Sequence, residues 1–162
     1  MKQTLLFFFT LIVAVNVWTM SFEDIAERIA STLEVMREEV QTCFHKTNAT
    51  LEDLMRVDEL IYENRLQIID FDASALKAGC FFACLCQKKG VMTGARVNMD
   101  HIKKMIHSNK ARPNQLAKVF QILDFCANQV RSKTNECEVS LKYILCVVNK
   151  MIPMDSNNNN DE

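Results

Sequence analysis

Cysteine offers the most chemistry in this chain, which contains seven of them. Six stand at Cys43, Cys80, Cys84, Cys126, Cys137 and Cys146, with 36, 3, 41, 10 and 8 residues between them. A thiol can close a disulfide, hold a metal or attack a substrate, and the compartment decides among these. Lys2 and the apolar run from Leu5 to Val17 read as a signal peptide over residues 1–20. That run is shorter than the roughly twenty residues of a membrane-spanning helix. An oxidising destination then favours three disulfides, whose pairing the sequence leaves open. Two other chemistries use the same residue type: zinc held by Cys80, Cys84 and Cys86, or Cys86 as a nucleophile beside a histidine. Neither has a supporting pattern. His45, His101 and His107 lack metal-like or nucleophile-like spacing with a carboxylate, and there is no Gly-x-Ser-x-Gly elbow or phosphate loop. No catalytic residue, metal or cofactor is expected.

Two further features bear on chemistry. His101, Lys103, Lys104, His107, Lys110 and Arg112 form a basic group that reads as a solvated face or as an anion site. Asn48-Ala49-Thr50 is an N-glycosylation sequon, although Thr50 also stands where a helix cap is needed. The net charge is −1, and near −2 without Lys2. Nucleic acid is not expected as a partner, since that would favour a basic chain.

Helices must position these side chains. Phe22, Ile25, Ile29, Leu33, Met36, Val40 and Phe44 recur at three- and four-residue steps, which predicts one long first helix. A second is expected from Thr50, with Asp53 completing a capping box, to about Asn64, followed by a loop over 65–72. A third runs from about Asp72 to Lys89 and stops at Gly90. A fourth begins near Asn98, a fifth at Pro113, and a sixth covers about Asn135 to Met151. Long period-two alternation is absent, and glycine and proline are scarce, so a β-sandwich is disfavoured. Tyr143 to Val148 is apolar on every face, so the sixth helix is expected to be buried all round. Cys137 and Cys146 are nine residues apart and, at about 100° per residue, point to opposite sides of it. Cys80 and Cys84 share a face of the third helix and are expected to reach different partners. The organisation expected is one all-α domain over 21–152, with 153–162 a disordered polar tail.

Six helices behind a leader, with Cys80-Phe-Phe-Ala-Cys84 followed by Cys137 and then eight residues to Cys146, make a specific pattern. It resembles the insect odorant-binding protein family of the pheromone- and general-odorant-binding type. The stretch Leu85 to Thr93 is also similar to that family's sequence after its third cysteine. The resemblance implies a compact bundle of about six helices around an apolar cavity. It implies the pairs Cys43–Cys84, Cys80–Cys137 and Cys126–Cys146, and leaves Cys86 unpaired, either a buried thiol or a link between two chains in a homodimer. It implies a secreted, non-enzymatic carrier of small hydrophobic ligands, such as odorants, pheromones or fatty-acid-like molecules, in lymph or haemolymph. An olfactory receptor or a membrane surface would be its further partner. Within that resemblance the ligand-facing set is Met92, Met99, Ile102, Met105, Ile106, Leu116, Phe120, Leu123, Val147 and Met151. Methionine suits a pocket with loose shape demands, whereas on periodicity alone these residues are core. The competing function is a secreted helical signalling or lipid-surface protein with a solid core and an exposed apolar patch.

Overall fold

Helical periodicity dominates the structure as it does the sequence. The computed structural model describes residues 22–62, 70–107 and 113–156. The expected signal peptide and most of the expected 65–72 loop lie outside these residues, as does the end of the chain from 157. The helices are α1 (Phe22–Leu33), α2 (Arg37–Thr47), α3 (Leu51–Tyr62), α4 (Ala73–Lys88), α5 (Met99–His107), α6 (Pro113–Val130) and α7 (Glu136–Ser156). Between α4 and α5, β1 (Met92–Thr93) and β2 (Arg96–Val97) form a short antiparallel hairpin, with Met92 opposite Val97. No described helix is long and apolar enough to cross a membrane.

The expected first helix is two helices, which makes seven among the described residues where six were expected. Glu34 turns the chain with φ of 52°, and the Val35 N–H donates to the Ala30 carbonyl at 3.0 Å, closing the end of α1. Met36 is the N-cap of α2 and is 65 % exposed, so it is not the core position its spacing suggested. The break keeps Met36, Val40 and Phe44 in four-residue steps, which is why periodicity ran across it. The other starts obey local chemistry. The Thr50 N–H donates to Asp53 at 2.8 Å, and the Asp53 N–H to the Thr50 hydroxyl at 3.3 Å, a reciprocal cap on α3. Asp72 accepts from the Ala75 N–H at 2.8 Å at the start of α4. At its end the Val91 and Gly90 N–H groups return to the Cys86 and Gln87 carbonyls, with Gly90 at φ of 74°. That double closure needs a left-handed residue, and glycine supplies it without strain. α7 continues through Pro153 to Ser156, beyond the expected end at Met151 and into the stretch expected as tail.

The disulfides are Cys43–Cys84, Cys80–Cys137 and Cys126–Cys146, the pairs that the family resemblance implies. α4 and α7 pack against each other more extensively than any other pair of elements. Gly79 makes the approach possible: a Cβ there would collide with the Cys137 backbone carbonyl and lie 3.1 Å from the Leu141 Cβ. The Ser140 hydroxyl donates to the Gly79 carbonyl at 2.5 Å across the same crossing.

Among the described residues two apolar clusters result. The first joins α1 to α4 with Leu141, Ile144, Leu145 and Val148 of α7, and stacks Phe44 on Phe81 with ring centroids 4.1 Å apart. The second joins the hairpin, α5 and α6 to the other side of α7. The stretch from Tyr143 to Val148 of the last helix is thus packed between both, as its all-round apolar character required, while Glu136 and Lys150 of the same helix are exposed.

Candidate functional site

The second cluster is built by short local devices that aim one side chain after another at α7. The Gly90 turn leads into the hairpin, where Met92 is buried and Thr93 is exposed. The Asn98 side chain accepts from the His101 N–H at 3.3 Å and starts α5. Met99, Ile102 and Ile106 then fall on one face of that helix. Pro113 opens α6, where its fixed φ is already helical and its missing N–H costs nothing. Along α6, Leu116, Val119, Phe120, Leu123, Cys126, Ala127 and Val130 follow at helical spacing. α7 closes the set with Val139, Tyr143, Val147 and Met151, each four residues from the last. Lys103 of α5 pairs with Asp124 of α6 at 2.8 Å and lies 5.8 Å from the centre of the Phe120 ring. Both partners are partly exposed, so the pair fixes orientation more than it adds stability.

Of the ten residues assigned from the sequence, the structure brings nine into this one cluster. Met92, Ile102, Ile106, Leu123 and Val147 are buried, while Met99, Leu116, Phe120 and Met151 are half-buried at its margin. Met105, the tenth, is half-buried on α5 and is not among the cluster residues. Sequence reasoning left out Tyr143, Val139, Val130 and Cys86. The signal was present for the tyrosine: Tyr143, Val147 and Met151 share one four-residue row on α7.

Tyr143 is the polar exception in these surroundings. The residue is 7 % exposed, and its hydroxyl donates to the Met99 Sδ at 3.7 Å. Burial pushes its pKa well above the ordinary range, and the nearby Cys86 and Asp124 add to the shift. Cys86 is the free cysteine. Part of the residue reaches the surface, yet it packs against the cluster, and burial pushes its thiol up to about 12. Such a thiol stays protonated and is a poor nucleophile. Cys80 and Cys84 are bound in disulfides, which removes them as zinc ligands. Among the described residues no group of His, Cys, Asp and Glu side chains could hold a metal ion.

The structure divides the basic group. The His101 ring lies over the Gly90 turn, about where a Cβ on Gly90 would come within 3.3 Å of its Nε2. Lys103 faces α6, and Lys104 is exposed. Lys110, Arg112 and the His107 side chain lie outside what is described. In the sequon, Asn48 is exposed in the left-handed conformation that ends α2, and the Thr50 hydroxyl donates to Asp53 at 3.0 Å.

A family model described as "PBP/GOBP family" matches residues 26–150. A pheromone-binding protein Gp-9 of Solenopsis globularia littoralis is 28 % identical over 142 residues, covering 87 % of this chain and 86 % of that protein. The proteins of the same name from Solenopsis geminata and Solenopsis richteri are each 24 % identical over 126 residues, covering 77 % of this chain and 78 % of theirs. No solved structure matches.

Proposed function

This chain belongs to the PBP/GOBP family, and on that premise we propose that it is a secreted carrier of small apolar molecules. They are held between the hairpin, α5, α6 and the face of α7 turned away from the first cluster. The cargo classes are odorants, pheromones and fatty-acid-like molecules, and the relatives' own name, pheromone-binding protein, points the same way. The setting is an extracellular fluid such as lymph or haemolymph. Carriage requires binding and release without a reaction, so no group in the second cluster has to act as acid, base or nucleophile.

One observation carries the reading. The second cluster is separate from the first and is margined by half-buried methionine, leucine and phenylalanine. Side chains of this kind can make room for an apolar guest at small cost, because methionine adapts its shape and a half-buried wall has fewer contacts to lose.

The test is titration with N-phenyl-1-naphthylamine, whose fluorescence rises in apolar surroundings, followed by displacement with volatile alcohols, esters and fatty acids. Saturable binding at micromolar concentration is expected, about −8 kcal/mol. Phe120→Ala and Leu116→Ala, both in the cluster, should each weaken it several-fold, and Lys118→Ala, on the exposed side of α6, should not. Absence of saturable binding would favour the alternative of an interaction protein with a solid core. Equal effects from all three substitutions would place the dye elsewhere.

A further inference from the structure

A buried tyrosine hydroxyl ordinarily has a strong hydrogen-bond partner, because leaving it without one costs free energy. Tyr143 departs from this. Its residue is 7 % exposed, and among the described residues its hydroxyl has the Met99 Sδ as its partner, at 3.7 Å. Thioether sulfur is a weak acceptor. The buried residues that share its cluster, Met92, Ile102, Ile106, Leu123 and Val147, offer no oxygen or nitrogen from their side chains, and the nearby Asp124 carboxylate is engaged by Lys103. A donor of this kind, set in apolar surroundings and held by a weak bond, is arranged to be handed over.

We propose that the Tyr143 hydroxyl is the specificity contact of the carrier site. It donates to an uncharged oxygen of the cargo, so the preferred ligand is a hydrocarbon chain bearing one carbonyl or ether-type acceptor. This rests on the carrier reading and adds the chemistry that chooses among guests. On binding, the hydroxyl turns from the Met99 sulfur to the ligand oxygen, an exchange of a weak bond for an ordinary one. No bond other than this hydrogen bond changes.

The charge of the surroundings argues for a neutral acceptor over a carboxylate. Asp124 lies close enough to Tyr143 to disfavour a second negative charge there. Lys103, the cation beside Phe120, is already engaged by Asp124 at 2.8 Å. A buried carboxylate would therefore lack a free counter-charge among these groups, and desolvation would count fully against it.

The experiment compares 2-undecanone, 1-undecene and undecanoate as displacers of N-phenyl-1-naphthylamine from the full folded protein. The quantity read is the ratio of their affinities, which cancels general effects on the site. Wild type should prefer the ketone to the alkene by about five- to tenfold, which corresponds to about 1–1.4 kcal/mol for one hydrogen bond. It should prefer the ketone to undecanoate as well. Tyr143→Phe should bring the ketone-to-alkene ratio to about one. Met99→Leu removes the competing sulfur, so that ratio should stay or rise, and this holds the inference to account even if Tyr143→Phe fails to fold. A wild-type ratio near one, a ratio unchanged in Tyr143→Phe, or a ratio lost in Met99→Leu overturns the assignment of the hydroxyl. Stronger binding of undecanoate overturns the preference for a neutral oxygen. Absence of saturable dye binding by wild type overturns instead the carrier reading on which the inference stands.

Discussion

Gly79→Ala adds a single methyl group at the closest approach of α4 and α7, and the structure makes opposite demands on it. In an isolated helix, alanine would be the better residue by about 1 kcal/mol. Here the new Cβ would collide with the Cys137 carbonyl and press to 3.1 Å from the Leu141 Cβ. The obstacle is backbone, so no rotamer change relieves it. The adjacent Cys80–Cys137 bond resists separation of the helices at this level. Overpacking of a closed core costs about 1–3 kcal/mol, and the upper end applies where neighbours cannot yield. The net expectation is a loss of about 2 kcal/mol, or a fall of about 6–8 °C in Tm for a domain of this size. Thermal unfolding of the oxidised protein, followed by far-ultraviolet circular dichroism at neutral pH, measures it. A Tm equal to or above wild type would mean that helix propensity prevails, and would refute the close crossing.

Other consequences are checked as directly. With its disulfides intact and the chain denatured, alkylation should add one group, at Cys86, whereas the native thiol should react far more slowly because burial keeps it protonated; labelling of a second cysteine would contradict the pairing. Acid should destabilise the fold with a known sign. Desolvation raises the Asp53 pKa, but hydrogen bonds from Ser74 and Thr50 outweigh it, and the net shift is downward. Asp72, bonded by the Ala75 N–H and Arg56, and Glu138, bonded by Lys142 and Lys133, are also lowered. A depressed carboxylate contributes stability above its unfolded pKa, near 4, and that stability is lost as pH falls through the folded value. Asp58, raised by desolvation and by Glu59, works the other way and offsets part of the loss. Tm should therefore drop below about pH 4, and less steeply in Asp53→Asn; equal slopes would remove Asp53 from the account.

What could be read from the sequence was chemical and local. Thr50 with Asp53, Asn98, Pro113 and Gly90 each mark a helix end within a few residues, and each acts there as its type demands. The apolar run of α7 announced a helix buried on all sides, because no exposed helix could carry it. The break at Glu34 gave no such sign, since glutamate is not the residue expected at a positive φ and the apolar spacing ran on unbroken. Strands of two residues are too short to show alternation. Gly79 and Tyr143 were illegible for a different reason. Their roles depend on Cys137 and Met99, 58 and 44 residues away in sequence, and only the packed helices bring those partners near.

The two clusters divide between them the demands that a carrier places on one small chain. The first is tied by Cys43–Cys84 across α2 and α4, and it contains the stacked aromatic pair. Its helices reach α7 through the crossing at Gly79 and the adjacent Cys80–Cys137 bond. Two of the three disulfides thus brace this side, and each contributes about 2–4 kcal/mol. In the second cluster Cys126–Cys146 anchors α6 to α7, and α4 is anchored by its own two bonds. Of the helices around that cluster, α5 alone contributes no disulfide cysteine. It is kept in place by an apolar stripe, by the partly exposed Lys103–Asp124 pair and by the weak bond between Met99 and Tyr143. A wall held in this way can shift by small repacking while its neighbours stay fixed. On the carrier function proposed above, placing the adaptable methionines and the loosely held hydroxyl on that side would let a guest be admitted without loosening the more heavily cross-linked part of the molecule.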